Sequence, residues 1–466
     1  MANVNKQGNK RKTLFLDLSF LGTLIFLIFR IPLTNIIGNE GNGYFAVSWE
    51  LYSTLGLFLG LGLSNVTTEM IRKRFRKKQY QNGTNVLIAS LLMGLALSIL
   101  GAAVIYFISN ALLNLLHMKL SGIGFRLIAL LLIFSTISGV LRGYFEGAGT
   151  KVPTSFSKMV EAVVAGTGAL IFASALTSHG SKVGSLLFNA QYEPAFGAAG
   201  IVAGCVLGSI FSVIFLIVVN HIYQIPLKQL LKKDESKGMD TLKTLLSEAL
   251  KLSCITFAEL IFFHLFRITN MWLYIQKTAL TDGKGKMVQY LGSYHGKVLV
   301  LTGIAILIVL SFSGRNERRI QKCYFLNDYK QCWKAYLEDL KQILILALPF
   351  VILLAALAKQ IFTAFYKSAG NIEVTMLQIG SINIILIPIT VYTYKLLQKM
   401  DLKLLLIAIP AVAFIVQTFF MYAVINVETM GPLSMILSET IFWLLVTIME
   451  LLVAAKTLKQ GFKSKI

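Results

Sequence analysis

Residues 141–163 read LRGYFEGAGTKVPTSFSKMVEAV and separate two long apolar runs. Gly147 and Gly149 provide the backbone freedom that a tight turn requires. Pro153 fits the first turn of a new helix, because its missing N–H would be unpaired there. The stretch therefore predicts two membrane-embedded helices joined by a tight hairpin at a membrane face.

The charged side chains of this hairpin are not explained by turn formation. Arg142 and Glu146 are four residues apart, and Lys158 and Glu161 are three apart inside the second apolar run. Charges at such depth usually face a protein interior or a water-filled cavity. Pairing of Lys158 and Glu161 with each other, or with Arg142 across the hairpin, is an alternative interpretation.

The composition indicates that the whole chain is a membrane protein. Of its 466 residues 56% are hydrophobic and 14% are charged, and the mean hydropathy is +0.70, which is too apolar for a soluble protein. A helix needs about 20 apolar residues to cross about 30 Å of hydrocarbon. About twelve such runs predict an all-α, multi-pass fold: 14–38, 44–68, 84–109, 123–142, 153–177, 196–222, 246–275, 294–313, 341–366, 374–395, 402–425 and 432–455.

The basic residues predict the orientation of these spans. Most of the 44 Lys and Arg fall in alternate loops, and short cytoplasmic loops hold an excess of such residues. Both termini are therefore predicted to be cytoplasmic. The net charge of +22 is better explained by this topology and by attraction to anionic membrane lipids than by nucleic-acid binding. The basic clusters are Arg72–Lys78, Lys228–Lys243, Arg315–Lys341 and Lys456–Lys465.

The chain divides into two parts of about six spans each. Residues 1–223 form the predicted first lobe, 224–245 a basic linker and 246–466 the second lobe, with a central cavity between the lobes. A weak internal repeat supports this division, since LSNVTTEMIRKRFRKKQY from Leu63 resembles LSFSGRNERRIQKCYFLNDY from Leu310. Both copies leave an apolar span on the same side, as parallel repeats do.

Two motifs carry a family resemblance. The segments RIPLTNIIGNEGNGY (30–44) and RGYFEGAGTKVPTSFSKMVE (142–161) resemble motifs of the polysaccharide flippases of the multidrug/oligosaccharidyl-lipid/polysaccharide (MOP) superfamily. The Gram-positive members related to stage V sporulation protein B and the lipid II flippases are the most similar. The matched positions are Arg30, Pro32, Gly38, Glu40, Gly41, Gly43, Tyr44, Arg142, Gly143, Tyr144, Phe145, Gly147, Pro153, Thr154, Ser157 and Glu161.

The resemblance implies a transporter of the bacterial cytoplasmic membrane. Its cargo would be a polyprenyl-diphosphate-linked oligosaccharide, a precursor of cell-wall or surface polysaccharide, flipped by alternating access of two six-helix lobes. Glu146 and Lys158 stand where the family usually has Gln. Lipid II flippases have fourteen spans, and the smaller number predicted here argues against lipid II itself as the cargo.

The diphosphate of such a cargo is best held by Arg, whose paired N–H donors match phosphate oxygens. Arg30 and Arg267 lie deep in predicted spans, and together with Lys158 they are the predicted substrate-binding cations. An ion pair between Arg267 and another helix is an equal alternative. The other basic residues of the spans lie near span ends, where long side chains reach the headgroups: Arg126, Lys251, Lys297 and Lys359.

Acidic residues suggest two further roles. Carboxylates inside spans are candidates for proton or sodium coupling, and Glu50, Glu259 and Glu439 are the predicted coupling residues. At the hairpin, we expect a gate that breaks and reforms as the lobes move. Its predicted members are Arg142, Glu146 and Glu161.

Two other functions fit part of the sequence. A multidrug cation antiporter of the same superfamily would need unpaired carboxylates in the first lobe, whereas the deep charges are mainly basic. A membrane enzyme that modifies glycans would need acid/base residues on a large loop, or a membrane His with a polar partner. The sequence has no nucleotide-binding glycine loop and no metal-ligand spacing. We therefore predict a transporter rather than an enzyme, without cofactor, metal or nucleotide.

Overall fold

The computed structural model describes residues 18–236, 238–281, 284–400, 402–427 and 430–460. Within these ranges the chain forms helices and no strand, as expected where lipid offers the backbone no hydrogen bonds. Short π-helical segments, Leu57–Gly62 and Tyr294–Val298, follow α1 and α9. In chain order the α-helices are α1 (Leu18–Gly56), α2 (Leu63–Arg76), α3 (Tyr80–Leu115), α4 (Gly122–Gly147), α5 (Val152–Leu186), α6 (Tyr192–Leu231), α7 (Leu242–Leu260), α8 (Phe262–Thr281), α9 (Lys284–Ser293), α10 (Leu299–Ser311), α11 (Glu317–Phe325), α12 (Tyr329–Ala356), α13 (Ala358–Tyr366), α14 (Asn371–Gly380), α15 (Asn383–Lys399), α16 (Lys403–Ile425) and α17 (Ser434–Gln460).

Helix α1 reverses direction at Gly38. Its φ of 68° lies in the left-handed region that only glycine adopts without strain. The two halves then run antiparallel and pack against each other. The guanidinium of Arg30 in the first half lies 4.2 Å from the Phe45 ring in the second. Further from the turn, the rings of Phe26 and Trp49 stack at 5.9 Å. The element is therefore an antiparallel hairpin and not one straight helix.

This hairpin decides the number of membrane passes. In the described residues ten helices are long and apolar enough to span a membrane, and a pair bent by 56°, Leu242–Leu260 with Phe262–Thr278, brings the number to eleven. The first of these, Phe20–Arg76, has 57 residues, or about 85 Å at 1.5 Å per residue, far more than one pass needs. Because it folds back at Gly38, it counts as two. The all-α, multi-pass fold is confirmed. With the folded-back helix counted as two, the described residues hold twelve candidate spans, the number that the sequence predicted.

Close packing of small residues holds α5 and α6 of the first lobe together. A Cβ added to any of three glycines of α6 would overlap atoms of α5. In lipid, small residues spaced four apart let two helices approach closely and gain van der Waals contact. The glycines and the alanines that face them are Gly200, Gly204, Gly208, Ala173, Ala169 and Ala165.

The connection between the lobes packs against the ends of α2 and α3. Lys78 pairs with Glu235 at 2.5 Å, and Arg74 pairs with Asp240 and with Glu248, both at 2.8 Å. Helix α6 continues past the predicted lobe boundary at 223 before this connection begins. We call this end of the molecule the basic end, and the opposite end, where α1 turns, the Gly38 end.

Candidate functional site

A cavity of about 360 Å³ lies between the two lobes. The first lobe contributes side chains from both halves of the α1 hairpin, and the second lobe contributes side chains from α8, α10, α15, α17 and the π-helical segment 294–298. We call it the central cavity. Its ionisable lining residues are Arg30, Glu50, Arg267, His295 and Glu439.

Arg30 is held in this cavity by its own hairpin. One Nη atom donates to the Oδ1 atom of Asn42 at 2.7 Å, and the guanidinium rests on the Phe45 ring. Only 4% of the residue is exposed, and its Nη1 atom has no hydrogen-bond partner among the described residues. The hairpin therefore orients the guanidinium, and the N–H groups of Nη1 stay available as hydrogen-bond donors at the cavity wall.

Arg267 enters the cavity from the second lobe as part of an ion pair. Its Nη2 atom donates to Glu439 Oε1 at 2.8 Å, and the hydroxyl of Tyr294 donates to the other oxygen of the same carboxylate. Trp443 Nε1 also approaches Glu439 at 3.4 Å. The Nε of Arg267 has no hydrogen-bond partner in the described part of the chain. Arg267 thus forms an ion pair with another helix, as one alternative predicted, and it also lines the cavity, as the other predicted.

Glu50 and His295 meet across the lobe boundary. Nδ1 of His295 lies 3.5 Å from Oε1 of Glu50, and both side chains are buried. The second oxygen of Glu50 has no partner within the described ranges. His295 belongs to the π-helical segment, and π-helical turns often occur at functional sites because they redirect side chains.

The central cavity is balanced in charge, since it is lined by two arginines and two glutamates. A basic excess lies instead in a second cavity of about 700 Å³ toward the basic end, which we call the basic-end cavity. Thr23 and Leu307 line both cavities, so the two adjoin. The charged residues of the basic-end cavity are Arg142, Lys151, Lys158, Lys395, Glu146 and Glu161.

The predicted gate residues form a cluster inside the first lobe. Arg142 bonds to Glu161 and donates to Ser157 at 2.9 Å and to Ser212 at 2.7 Å. These contacts join α4, α5 and α6 of one lobe, so the pair does not connect the two lobes. Glu146 lines the same cavity, and the role of these residues in gating stays a prediction.

Two predicted positions differ from expectation. Glu259 does not line the central cavity and instead accepts a hydrogen bond from Gln398 of α15 at 3.1 Å. Lys297 was expected to reach the headgroups, and this prediction is wrong. Its side chain is 3% exposed and pairs with Glu373 at 3.0 Å, because segment 294–298 is packed between α1 and α14.

Residues of the second lobe that sequence reasoning missed include His295, Tyr294 and Glu373. Their partners are far away in the sequence: Tyr294 and Glu439 are 145 residues apart. No local pattern in the sequence indicates the π-helical turn that aims His295 and Tyr294 at the cavity. The signal available was only that these polar residues lie in or beside apolar spans.

Comparison with solved structures shows the fold. The chain is similar to an inward-facing multidrug resistance MATE family transporter of the MOP superfamily, with a TM-score of 0.75, 14% identity and 96% of each chain covered. An outward-facing multidrug resistance MATE family transporter gives a TM-score of 0.62 at 14% identity, again with 96% of each chain covered. A MATE in a bent conformation gives 0.64 at 15% identity, covering 98% of this chain and 96% of that chain.

Sequence comparison shows the family. Among curated proteins no significant match is found. The family described as "Polysaccharide biosynthesis protein" matches residues 10–314, which is well over half of the chain and includes both motifs quoted above. The narrower similarity to the stage V sporulation protein B-related members stays a prediction. The chain therefore belongs to the polysaccharide biosynthesis protein family and has the fold of MOP superfamily transporters.

Proposed function

We propose that this protein flips a polyprenyl-diphosphate-linked oligosaccharide across the bacterial cytoplasmic membrane by alternating access. One observation carries the proposal: Arg30 and Arg267 line one buried cavity from opposite lobes, and each keeps an N–H group without a hydrogen-bond partner among the described residues. Two guanidinium groups at a lobe interface suit a diphosphate, because each offers planar, paired donors to phosphate oxygens. Family membership supports a glycolipid cargo.

The basic-end cavity supplies the approach to this site. Its excess of Lys and Arg would attract an anionic headgroup from the adjacent leaflet. Lys158 lines this cavity and not the central one, so we assign it to the approach. Arg72 and Lys73, with the other basic residues at the end of α2, are proposed to contact anionic lipids.

The balanced charge of the central cavity suggests how transport is coupled. A diphosphate that binds Arg267 must compete with Glu439, which already occupies one of its donors. Uptake of a proton or a cation by Glu439 would remove this competition, and uptake by Glu50 would remove the other negative charge of the cavity. We propose these two carboxylates as the coupling groups. Glu259, bonded to Gln398 away from the cavity, is a weaker candidate.

The orientation of the lobes is part of the proposal. The likeness is greater to the inward-facing than to the outward-facing MATE at equal identity, and the basic end is the predicted cytoplasmic side. We infer that the structure represents the form open toward the cytoplasm.

The proposal is tested with purified protein in proteoliposomes. A fluorescent polyprenyl-diphosphate sugar is added, and the outer-leaflet fraction is measured with an impermeant reagent that destroys exposed label. Wild type should equilibrate the label rapidly, whereas Arg30→Ala and Arg267→Ala should do so at least about tenfold more slowly. Arg126→Ala is the matched control, because this arginine is bonded to Asn110 on an exposed face. Equal flipping by all variants would contradict the proposal.

A multidrug cation antiporter is the second candidate. It is favoured by one observation, the unpartnered oxygen of Glu50 in the central cavity, since organic cations are held by carboxylates. The same vesicles distinguish the two functions. Inhibition of flipping by inorganic or prenyl diphosphate supports the first, whereas proton-driven uptake of an organic cation with no glycolipid movement supports the second.

A further inference from the structure

The tip of the α1 hairpin joins the two lobes at the Gly38 end. Four hydrogen bonds connect described residues of this tip to the second lobe. They are Thr34 Oγ1 to the Gly296 carbonyl at 3.1 Å, Asn35 Nδ2 to the Phe365 carbonyl at 2.8 Å, Asn39 Nδ2 to Glu373 Oε1 at 2.8 Å, and Gln289 Nε2 to Glu40 Oε1 at 3.0 Å.

Backbone packing closes the same junction. A Cβ on Gly43 would overlap the carbonyl of Val288, and a Cβ on Gly292 would overlap the carbonyl of Asn39. Helices α1 and α9 therefore approach each other backbone to backbone, which only glycine permits. At these two glycines the backbones of the hairpin and of α9 are in direct contact.

Glu373 occupies a special position in this junction. It accepts hydrogen bonds from Ser293 at 2.6 Å and from Lys297 at 3.0 and 3.1 Å, and all three residues belong to the second lobe. Its carboxylate also accepts the bond from Asn39 of the first lobe. The second lobe thus fixes the carboxylate in place, and one amide of the first lobe engages it.

The junction separates two cavities. On one side is the central cavity, lined by His295, and on the other is a polar cavity of about 510 Å³ at the Gly38 end, lined by Lys297 and Asn39. Arg30 lies four residues, or about one helical turn, before Thr34. The closed junction is therefore the wall that the cargo must pass to leave at the Gly38 end.

We propose that Glu373 is the latch that closes the Gly38 end, with Asn39 as the part that it holds and Lys297 and Ser293 as the groups that position it. This inference rests on the proposed alternating access. Opening breaks the bond to Asn39 and leaves the bonds to Lys297 and Ser293 intact. The latch can therefore reform without reorganisation of the second lobe.

The test measures the distance between the lobes directly. Spin labels are placed at Ile36→Cys in the first lobe and Thr363→Cys in the second, both at the Gly38 end, in reconstituted full-length protein whose four native cysteines are replaced. Parent protein should give mainly a short distance. Asn39→Ala and Glu373→Ala should raise the ratio of open to closed forms by about tenfold, the effect of losing a hydrogen bond to a charged group.

Controls make the outcome decisive. Asn110→Ala removes an asparagine that bonds within the first lobe, and it should leave the distance distribution unchanged. Asn39→Ala leaves the Glu373 contacts of the second lobe in place, so it decides the matter if Glu373→Ala fails to fold. An unchanged distribution of distances between the labels in Asn39→Ala would contradict the proposed latch. The distance measurement needs no cargo. If the flipping experiment failed, the expected distances between the labels would therefore stay the same.

Discussion

Arg30 is a buried cation whose direct neighbours carry no negative charge. Asn42 and the Phe45 ring hold it by a hydrogen bond and by contact with the ring face, and neither neutralises its charge. An ionised group that is buried without a counter-ion costs several kcal/mol. This arrangement is expected where an anionic ligand supplies the missing charge during the transport cycle.

Arg30→Lys tests whether the guanidinium shape matters in addition to charge. Lysine keeps the charge but lacks the planar fork, so we expect Arg30→Ala to slow flipping by about tenfold to a hundredfold and Arg30→Lys to recover only part of that loss. The initial flipping rate in proteoliposomes is the measurement. Full recovery by lysine would argue for a point charge rather than a paired phosphate contact.

Glu439→Gln should separate binding from turnover. The substitution removes the anion that competes for Arg267 while preserving its size, so a fluorescent prenyl diphosphate should bind about tenfold more tightly. The flipping rate should fall, and its pH dependence should weaken, because a coupling carboxylate is lost. Glu450→Gln is the matched control, since it replaces a buried carboxyl group of the same helix outside the central cavity. Equal effects in both variants would indicate a general loss of packing.

At the scale of elements, each lobe has a π-helical segment that lines a cavity. Segment 57–62 lies in the first lobe on the basic-end cavity, and segment 294–298 lies in the second lobe on the central cavity. Segment 57–62 ends directly before the first sequence of the weak internal repeat, at Leu63, whereas the apolar residues 299–309 separate segment 294–298 from the second, at Leu310. Their side chains are turned toward the space between the lobes, as an irregular turn permits where it lines a cavity.

The contact between α5 and α6 gives a prediction about stability. Gly204→Ala places a Cβ against the backbone of Ala169, so we expect a loss of about 1–3 kcal/mol in the free energy of unfolding. Gly56→Ala is the control, because its Cβ would meet only the Tyr52 ring at 3.7 Å, and alanine favours a helix by up to about 1 kcal/mol. Thermal unfolding in detergent should show a lower midpoint for the first variant alone.

At the scale of the whole molecule, the predicted topology can be tested independently of transport. A green fluorescent protein joined to the C-terminus should fluoresce in cells, and alkaline phosphatase joined there should be inactive. Phosphatase inserted after Phe188, which is 98% exposed between α5 and α6, should be active because the Gly38 end is predicted to face outward. The opposite pattern would reverse the inferred direction of the open side.

The sequence predicted the large features of the molecule because they depend on local signals. Run length predicted about twelve spans, and the break between the apolar runs 14–38 and 44–68 falls where α1 turns at Gly38. The motif residues Arg30 and Arg142 were recognised, and pairing of Glu161 with Arg142 across the hairpin was one of the predicted alternatives. Asn42 as the partner of Arg30 was not predicted. Asn39 and Glu373 are 334 residues apart in the sequence, and their contact depends on how the two lobes pack together. A local sequence pattern contains no information about that packing.

The division of charge across the central cavity has a consequence for energetics. With all four groups ionised, each lobe contributes one arginine and one glutamate to the cavity lining, Arg30 and Glu50 from the first and Arg267 and Glu439 from the second, so the charges sum to zero in each lobe's share. Moving one unit charge through 100 mV of membrane potential costs about 2.3 kcal/mol. Because the charges of the cavity lining sum to zero, moving the empty cavity through the membrane field requires almost no electrical work. The membrane potential would then act mainly on the outward step, in which the negatively charged cargo is bound.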